Sequence, residues 1–299
     1  MAYELSEETI REIFFEFSNG MPVSAVMKMF NLKQTKAYEM RKEFNAMQVL
    51  NAPNVPVKDV KEKGNKIRET TLAFSDPHGP FQHPDTYDFL TAIRDKYKPT
   101  DVLNGGDEVD LHYLNYHEKE QRILNPTGER NKAIEHCRVM QDIFPKMILL
   151  DSNHGDLVDR KAKTAGIHPE DLKSKKDRLE ITADWEWHKS IILDFPNGDS
   201  AYCVHHYSGN VMTGSEKVGM SLIQGHVHTQ FSCGYRSTPE GLHFGLQLPC
   251  LIDTHSPAFK YAHPRQGRIM VGATIIEGGY PKLIPLRKDR HGRWDGKIN

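Results

Sequence analysis

The sequence has few cysteines, no excess of either charge and no long apolar segment. Its four cysteines include no CxxC pair, which excludes a disulfide framework and leaves reduced thiols as the expected state. The 39 basic and 40 acidic residues nearly cancel, so overall charge draws the chain neither to nucleic acid nor to a membrane. We find no apolar signal segment at the start and no run of about 18 apolar residues. We therefore expect a soluble cytoplasmic protein without a membrane partner.

Histidine, in contrast, is abundant, with 16 among 299 residues, most of them in the middle and C-terminal parts. A chain of this length accommodates one large domain, or a medium domain and a small module. Changes in composition predict a helical module at 1–50, a linker at 51–69 and an α/β domain at 70–299. The sequence leaves the oligomeric state open.

The first 50 residues carry apolar side chains at helical spacing. Ser6 is placed to cap a first helix, a second short helix precedes a tight turn at 31–33, and a third helix begins at about Thr35. The stretch SAVMKMFNLKQTKAYEMRKEF resembles the core of homeodomain-like helix-turn-helix modules. That resemblance implies DNA as a partner, and residues 21–50 carry five bases against two acids. The alternative is a three-helix bundle that mediates protein contacts or dimerisation. The DNA contacts we predict are Lys33, Gln34, Lys36 and Arg41.

The next regions change from linker composition to alternating strands and helices. Residues 51–69 contain two prolines, one glycine and dense charge, which is typical of an extended linker. Beyond them, short β-branched or apolar runs alternate with helical segments, which predicts an α/β sandwich flanked by helices. The polar segment 152–189, with eight bases and eight acids, predicts a solvated insertion, with a lid as the alternative. The predicted strands are 71–74, 102–103, 147–150, 191–195, 201–204, 222–223 and 269–276.

Five short polar motifs follow predicted strands, where open α/β sheets collect ligands. Each motif alone is weak, because a histidine after a strand is usually a hydrogen-bonded structural residue. Their shared property is that each supplies carboxylate, amide or imidazole donors within a few residues of a strand end. The motifs are SDPHG at 75–79, GGDEVD at 105–110, DSNHGD at 151–156, HH at 205–206 and GHVH at 225–228.

In this order the motifs resemble the signature of the calcineurin-like metallophosphoesterase superfamily: DxH, GDxxD, GNH, a strand-end histidine and GHxH. The resemblance covers about residues 70–276 and implies a metallophosphoesterase-type β-sandwich with two divalent ions. It also implies that Asp107 bridges the ions. The ligands implied for one ion are Asp76, His78, Asp107 and His228, and those implied for the other are Asp107, Asn153, His205 and His226.

The chemistry of these residue types agrees with that resemblance. Two divalent ions can share a hydroxide and act on both sides of an in-line phosphoryl displacement. Mixed imidazole, carboxylate and amide donors favour manganese, with Fe, Zn, Co or Mg as alternatives. The family pattern implies that His154 is a general acid for the leaving oxygen. It implies that Asp110 pairs with this histidine and sets its tautomer, with a helix N-cap as the alternative role for Asp110.

Two positions depart from the family pattern. Ser152 replaces the glycine before Asn153, and we expect it to strain a turn that needs an unhindered backbone. His205 and His206 stand where one ligand is expected, and strand alternation turns only one of them toward the ions. We assign His205 as that ligand. His206 and His112 are assigned to substrate contact.

The helix-turn-helix-like module favours a DNA substrate, because it would raise the local concentration of DNA at the active site. We therefore expect a metal-dependent phosphodiesterase or nuclease. One alternative is a phosphomonoesterase or small-molecule phosphodiesterase whose N-terminal module mediates only protein contacts. A second is a DNA-binding regulator with an inactive phosphoesterase fold. Leu111 and His112 replace the Arg-Gly pair that marks protein Ser/Thr phosphatases, which disfavours that substrate class.

Overall fold

A computed structural model describes residues 6, 9–10, 12–14, 23–51, 67–115, 125–239, 241–256 and 269–298, with the backbone alone for 43–51. The chain divides into two compact units, Met1–Val60 and Lys61–Asn299. The predicted linker at 51–69 falls mostly outside the described residues. At its edges, Asn51 is helical, and Arg68 donates its backbone N–H to the carbonyl oxygen of Asp194 over 2.9 Å.

The N-terminal unit is helical wherever it forms regular structure in the described residues. Backbone at 9–10 and 12–14 is helical, α1 spans Val23–Met29 and α2 spans Gln34–Asn51. The hydroxyl of Ser6 accepts the backbone N–H of Thr9 over 3.2 Å, as a capping serine does. A small apolar core holds the helices together. Its fully buried members are Ile13, Val26 and Met40.

Three of the four residues predicted to contact DNA, Lys33, Gln34 and Lys36, lie at the start of α2 or just before it, and Arg41 lies about two turns into the helix. Lys33, Gln34 and Lys36 are exposed, whereas Arg41 is half-buried. Burial lowers the pKa of the Arg41 guanidinium from its usual value. Lys36 lies 3.9 Å from the carboxylate of Glu39, a pair in which both side chains are about half exposed, so Lys36 is available to other anions. Their role in DNA binding stays a prediction.

The larger unit is built on two β-sheets. In the first, the strand order is β11-β10-β1-β2-β3-β4, and β1 to β4 run parallel. In the second, the order is β5-β6-β7-β9-β8, and β6, β7 and β9 run parallel. The strands are β1 Thr70–Phe74, β2 Asp101–Asn104, β3 Lys146–Leu150, β4 Asp184–His188, β5 Ser190–Asp194, β6 Ser200–Val204, β7 Ser221–Gln224, β8 Ser232–Thr238, β9 Gly241–Gln247, β10 Gly272–Glu277 and β11 Tyr280–Pro285.

Alternating side chains of β1 separate two hydrophobic layers. Leu72 and Phe74 pack with the helices that cover the first sheet. Ala73, between them in sequence, packs in a second cluster with residues of the other sheet such as Ile223 and Leu246. The α/β sandwich flanked by helices is therefore confirmed. The helices of this unit are α3 Thr86–Tyr97, α4 Pro126–Ile143, α5 Leu157–Thr164, α6 Lys175–Arg178 and α7 Val211–Val218.

The polar segment 152–189 is more structured than a solvated insertion. It contains α5 and α6, and its last residues form β4, which pairs parallel with β3. Trp185 of β4 is buried, with its indole N–H donated to the carbonyl oxygen of Phe144 over 2.8 Å. Residues 163–171 are exposed, as a solvated face predicts, whereas the end of the segment, β4, extends the first sheet. None of the helices in the described part of the chain is long and apolar enough to cross a bilayer.

Candidate metal centre

Each of the five motifs follows the carboxyl end of a strand. Within each sheet these strands are parallel, so their carboxyl ends lie on one side of the sheet. The motif at 75–79 follows β1, that at 105–110 follows β2 and that at 151–156 follows β3. Because these strands are parallel neighbours, their following loops emerge side by side. In the second sheet, the parallel neighbours β6 and β7 lead into the motifs at 205–206 and 225–228. The topology thus gathers donors that are up to 152 positions apart.

Main-chain hydrogen bonds join the first two loops. Asp76 donates its backbone N–H to the carbonyl oxygen of Gly106 over 2.9 Å, and His78 donates to that of Asp107 over 2.9 Å. The amide of Asp110 returns a hydrogen bond to Gly79 over 3.0 Å. These three hydrogen bonds hold the loops 75–79 and 105–110 against each other.

Four of the predicted ligands have a left-handed backbone. The φ angles are 52° for Asp76, 50° for His78, 52° for Asp107 and 69° for His226. For a residue with a Cβ atom this conformation costs about 1–2 kcal/mol. Such strain persists when surrounding structure imposes it, and it is concentrated at functional sites. The side chains of these four residues supply donor atoms to the cluster.

Two glycines allow the loops to approach this closely. A Cβ on Gly106, whose φ is +108°, would lie 2.6 Å from His205 Nδ1 and 2.7 Å from the Cβ of Ser152. A Cβ on Gly225 would lie 2.0 Å from Ser75 Oγ and 2.8 Å from Asp76 Oδ2. All four distances are far below van der Waals contact, so the site requires glycine at both positions.

One half of the site is formed by Asp76, His78 and His228. Nε2 of His228 lies 3.1 Å from Asp76 Oδ1, and Nε2 of His78 lies 3.9 Å from the same oxygen. One donor atom from each residue fits within a group less than 4.8 Å across. His78 Nε2 is also 3.5 Å from Asp107 Oδ2, which joins Asp107 to this half.

The other half is formed by Asp107, His205, His226 and Asn153. The amide oxygen of Asn153 lies 2.8 Å from His205 Nε2 and 3.1 Å from His226 Nδ1. His205 Nε2 is 3.4 Å from Asp107 Oδ2. Donor atoms of Asp107, His205 and His226 again fall within 4.8 Å of one another. The structure therefore brings all seven predicted ligands together, with Asp107 beside both halves. Donor atoms of His78, Asp107 and His154 form a further group of the same size, and the division of the ligands between two ions stays a prediction.

Neighbouring acceptors determine which ring nitrogens can bind a cation. Nδ1 of His205 lies 2.7 Å from the carbonyl oxygen of Gly105. Because a carbonyl only accepts, Nδ1 carries a hydrogen, and Nε2, which faces Asp107, is the nitrogen that a metal ion can bind in place of a proton. His78 is arranged in the same way, with Nδ1 2.7 Å from Asp110 Oδ1 and Nε2 toward Asp107. A hydrogen bond at the outer nitrogen is the usual way in which a protein orients a metal-binding histidine.

The electrostatics of the site are dominated by buried carboxylates among imidazoles. Burial raises the pKa of Asp107, but His205 and His154 outweigh this effect and hold the pKa well below its usual value. Burial lowers the pKa of His205, yet the charge of Asp107 prevails and raises it to about 9. Burial and the neighbouring positive His205 lower the pKa of His226 to about 3. The carboxylates thus attract positive charge to the centre of the cluster.

The donor set fits divalent cations. Within the described part of the chain, Asp76 and Asp107 form ion pairs with histidines and with no lysine or arginine. Both carboxylates are almost completely buried, and a buried charge requires a counter-charge or a metal ion. Carboxylate, amide and imidazole donors together suit a borderline divalent ion. Buried Asp and His groups of this site could therefore hold metal ions.

Asp110 and His154 lie in contact, but their geometry differs from a simple carboxylate–imidazole dyad. Nδ1 of His154 donates to the main-chain carbonyl of Asp110 over 2.6 Å, and is 3.3 Å from its carboxylate oxygen Oδ1. The same Oδ1 is 2.7 Å from His78 Nδ1. The carboxylate of Asp110 therefore orients a predicted metal ligand, while its main chain sets the tautomer of His154. Nε2 of His154 is left as the atom that can exchange a proton.

Ser152 does not strain its turn, so that expectation is wrong. It is not among the described residues with positive φ, and its hydroxyl forms hydrogen bonds that a glycine could not. Ser152 Oγ accepts the backbone N–H of Asp107 over 2.8 Å and that of Gly155 over 3.2 Å. The backbone N–H of His154 in turn donates to Asp107 Oδ1 over 2.9 Å. The serine thus connects the second and third loops.

The two residues assigned to substrate contact differ in exposure. His206 is exposed, and its ring centroid lies 4.5 Å from that of His226, a position at the rim of the cluster that suits substrate contact. His112 is only 2% exposed; its Nδ1 lies 3.8 Å from Asp110 Oδ2, and its ring packs edge-on against Phe81. This burial contradicts a direct role of His112 in substrate contact and places it behind the site.

Sequence reasoning missed a pair of glutamines beneath the second sheet's loops. Gln224 Oε1 accepts the backbone N–H groups of Tyr207 and Ser208, both over 3.1 Å. Gln247 donates to the carbonyl oxygen of Gly225 over 2.7 Å and accepts from Gln224 Nε2 over 2.8 Å. Both glutamines are fully buried. They hold the loops of His205 and His226, and only their position at strand ends could have indicated this role.

The chain matches solved structures at low identity, but no family model and no curated sequence. No protein-family model matches the chain, and neither does any curated protein sequence. Solved structures do: Vps29 from Cryptosporidium parvum has 11% identity and a TM-score of 0.40, over 78% of this chain and 96% of that one. YfcE, a phosphoesterase from E. coli, has 10% identity and a TM-score of 0.39, over 77% and 96%. Vps29 from Chaetomium thermophilum has 10% identity and a TM-score of 0.42, over 77% and 96%. The proposals below rest on the two-sheet topology and on the buried cluster.

Proposed function

We propose that this chain is a metal-dependent phosphoesterase that hydrolyses phosphodiesters, with DNA as its substrate. The observation that supports the proposal is the convergence of seven donors in one cluster, in which Asp107 lies beside His78 of one half and His205 of the other. Asp76, His78, Asp107 and His228 would hold one divalent ion, and Asp107, Asn153, His205 and His226 the other. Bound there, two such ions, manganese in our proposal, would polarise the phosphoryl oxygens and lower the pKa of an attacking water molecule.

The residues around this donor set provide the remaining requirements of phosphoester hydrolysis. His154 donates from Nδ1 to Asp110, so its Nε2 is the atom that would give a proton to the leaving oxygen. Burial lowers the pKa of His154, but Asp107 and Asp110 reverse this effect and raise it above the usual value. In the protein without metal ions, these carboxylates attract a proton to the imidazole. His206, at the rim, would contact the substrate beside His226.

The preference for DNA is supported by the N-terminal unit. Lys33, Gln34 and Lys36 are exposed around the start of α2, and the turn at 30–33 separates α1 from this longer helix. Exposed cations near a helix start can contact backbone phosphates while neighbouring side chains read base edges. A unit that binds DNA would raise the concentration of phosphodiester bonds available to the larger unit.

The alternative of a phosphomonoesterase or small-molecule phosphodiesterase has the same donor set and differs in substrate. The near-neutral formal charge of −1 favours this alternative, since enzymes that act on long DNA usually have a more basic surface. A non-catalytic regulator would have no need of buried carboxylates, strained ligands and a histidine held for proton transfer.

A substrate panel tests the proposal. The purified protein, with chelator removed and Mn²⁺ added, is assayed on bis-p-nitrophenyl phosphate, p-nitrophenyl phosphate, and single- and double-stranded DNA. We expect hydrolysis of the diester and of DNA, and loss of both in the Asp107→Asn variant. Activity confined to the monoester would overturn the nuclease proposal. Absence of activity on every substrate with each of Mn, Fe, Zn, Co and Mg would overturn the phosphoesterase proposal itself.

A further inference from the structure

A partly buried lysine from the polar segment reaches the loop that carries Asn153 and His154. Lys175, the first residue of α6, places its Nζ 2.6 Å from Asp151 Oδ1 and 2.5 Å from Asp156 Oδ1. Its side chain is 17% exposed, which is unusual for a lysine that serves only solubility. The two carboxylates flank the turn between β3 and α5, one on each side.

The contacts of this turn show what the lysine holds in place. Asp151 donates its backbone N–H to the carbonyl oxygen of His188 in β4 over 2.8 Å. Asp156 is the residue before α5 and accepts no capping hydrogen bond at its carboxylate, although aspartate at this position commonly does so. That carboxylate is engaged by Lys175 instead. One ammonium group therefore connects the start and the end of the turn.

A third carboxylate lies behind the same turn. Glu108 is buried, its Oε1 accepts the indole N–H of Trp187 over 3.1 Å, and a Cβ on Gly155 would lie 3.1 Å from both of its carboxylate oxygens. Burial lowers the pKa of Lys175, but Glu108, Asp151 and Asp156 outweigh this effect and raise it. Lys175 thus remains charged and is the cation among these three acidic side chains.

We propose that Lys175 is a positioning residue for the active site: it holds the turn 151–156 in the conformation that points Asn153 and His154 into the donor cluster. This inference rests on the proposed function for its kinetic consequence, but its structural consequence is independent of activity. It also assigns a role to the polar segment, since α6 supplies the residue that closes the turn.

The physical effect of removing the ammonium group follows from the charges left behind. Without Lys175, Asp151 and Asp156 lose their shared counter-ion and repel each other across the turn, in a partly buried place where water screens charge poorly. The turn should then open more often. Because the backbone N–H of His154 bonds to Asp107 and that of Gly155 bonds to Ser152, opening also breaks the connection to the second loop.

The test compares Lys175→Met with Lys175→Arg and with Lys176→Met, in the full-length chain. Lys176 is the next residue of α6 and is exposed, so it is a matched control. Hydrogen exchange of the backbone amides at 151–157 is followed by mass spectrometry in the presence of EDTA. We expect faster exchange in Lys175→Met, exchange close to wild type in Lys175→Arg, and no change in Lys176→Met.

The same variants are assayed with Mn²⁺ on bis-p-nitrophenyl phosphate. We expect Lys175→Met to lower kcat by about 10- to 100-fold, the range typical of residues that orient metal ligands, with KM nearly unchanged because Lys175 does not contact substrate. Mn²⁺ affinity should fall in the same variant. Lys175→Arg should recover most of both quantities, and Lys176→Met should equal wild type.

A double-mutant cycle distinguishes the loss of the Lys175–Asp156 contact from general misfolding of the Lys175→Met variant. If Lys175 acts through Asp156, then Lys175→Met should have a smaller effect in an Asp156→Asn background than in wild type. Unchanged exchange and unchanged kcat in a folded Lys175→Met protein would overturn the inference, as would equal effects in the two backgrounds. If wild type itself is inactive, the proposed function fails, whereas the exchange results still decide whether Lys175 holds the turn.

Discussion

The donor cluster of the larger unit and the cationic start of α2 in the N-terminal unit use polar side chains in opposite ways. Asp76 and Asp107 are buried, have positive φ and are surrounded by imidazoles. Lys33 and Lys36 are exposed, and the one described partner of the Lys36 side chain is a half-exposed glutamate. Strain and burial of charge are costs that coincide in the ligand cluster, where four predicted ligands have positive φ, which indicates chemistry there. Exposed lysines incur no such cost, so their role depends on a partner.

The largest expected effect comes from removing the negative charge of Asp107, which lies beside both halves of the cluster. We expect Asp107→Asn to lower phosphodiesterase activity by about 1,000-fold or more, because metal charge stabilises a phosphoryl transition state by several kcal/mol. Initial rates on bis-p-nitrophenyl phosphate with Mn²⁺ provide the measurement. Asp184→Asn is the matched control, since Asp184 lies exposed at the start of β4. Retained activity in Asp107→Asn would show that the shared carboxylate is not needed.

Removal of His154 separates proton transfer from metal binding within the cluster. His154→Ala should lower kcat by about 100-fold or more on DNA, whose leaving oxygen needs a proton. The loss should be much smaller on bis-p-nitrophenyl phosphate, whose leaving group departs without one, and Mn²⁺ affinity should change little. His168→Ala, at an exposed histidine, is the control. Equal losses on both substrates would argue against a general acid.

Replacing Ser152 tests whether its hydroxyl joins the second and third loops of the cluster. Ser152→Ala leaves the buried N–H groups of Asp107 and Gly155 without their described acceptor. We expect the free energy of unfolding to fall by about 1–3 kcal/mol, the cost of unsatisfied buried groups. Urea denaturation measures this change, with Ser232→Ala as an exposed control. An unchanged midpoint would mean that the hydroxyl is not what joins the two loops.

The smallest expected effect lies in the N-terminal unit. Replacing Lys33 and Lys36 by glutamine should weaken DNA binding several-fold and lower the slope of log K against log salt by about 1 for each lost phosphate contact. Hydrolysis of bis-p-nitrophenyl phosphate should be unchanged. Lys146→Gln, at a lysine of the larger unit that is 72% exposed, controls for overall charge. An unchanged affinity and salt slope in the double variant would favour the protein-contact alternative.

The sequence predicted the strands that carry ligands, because their apolar runs are short and end in polar motifs. It did not predict β4, β8, β9 or β11. Trp185 and Trp187 alternate with Asp184 and Glu186 in β4, but this short pattern lies in a highly charged segment, and β8 and β9 are interrupted by glycines that weaken local strand preference. Their pairing depends on neighbouring strands that the local sequence does not specify.

In the candidate site, too, some features could be predicted from the sequence and others could not. The resemblance carried by the order of the motifs implied the two ligand sets. Strand alternation allows only one of His205 and His206 to be a ligand, and His205 is the one that directly follows the apolar run; in the structure His205 reaches Asn153 and Asp107. The supporting contacts could not be foreseen, because they join distant segments. Asp110 serves His78 as well as His154, and Ser152 connects two loops rather than straining one. Such contacts depend on distances of a few tenths of an ångström.

The most direct measurement is the number and position of ions in the cluster. Crystals soaked in MnCl₂ and examined by anomalous diffraction should show two peaks about 3.5–4 Å apart. One should lie among Asp76, His78 and His228, the other among Asn153, His205 and His226, with an oxygen of Asp107 bound to both. A fully occupied soak that shows no ion in the cluster, or ions bound only elsewhere on the protein, would contradict the metal centre and the activity inferred from it.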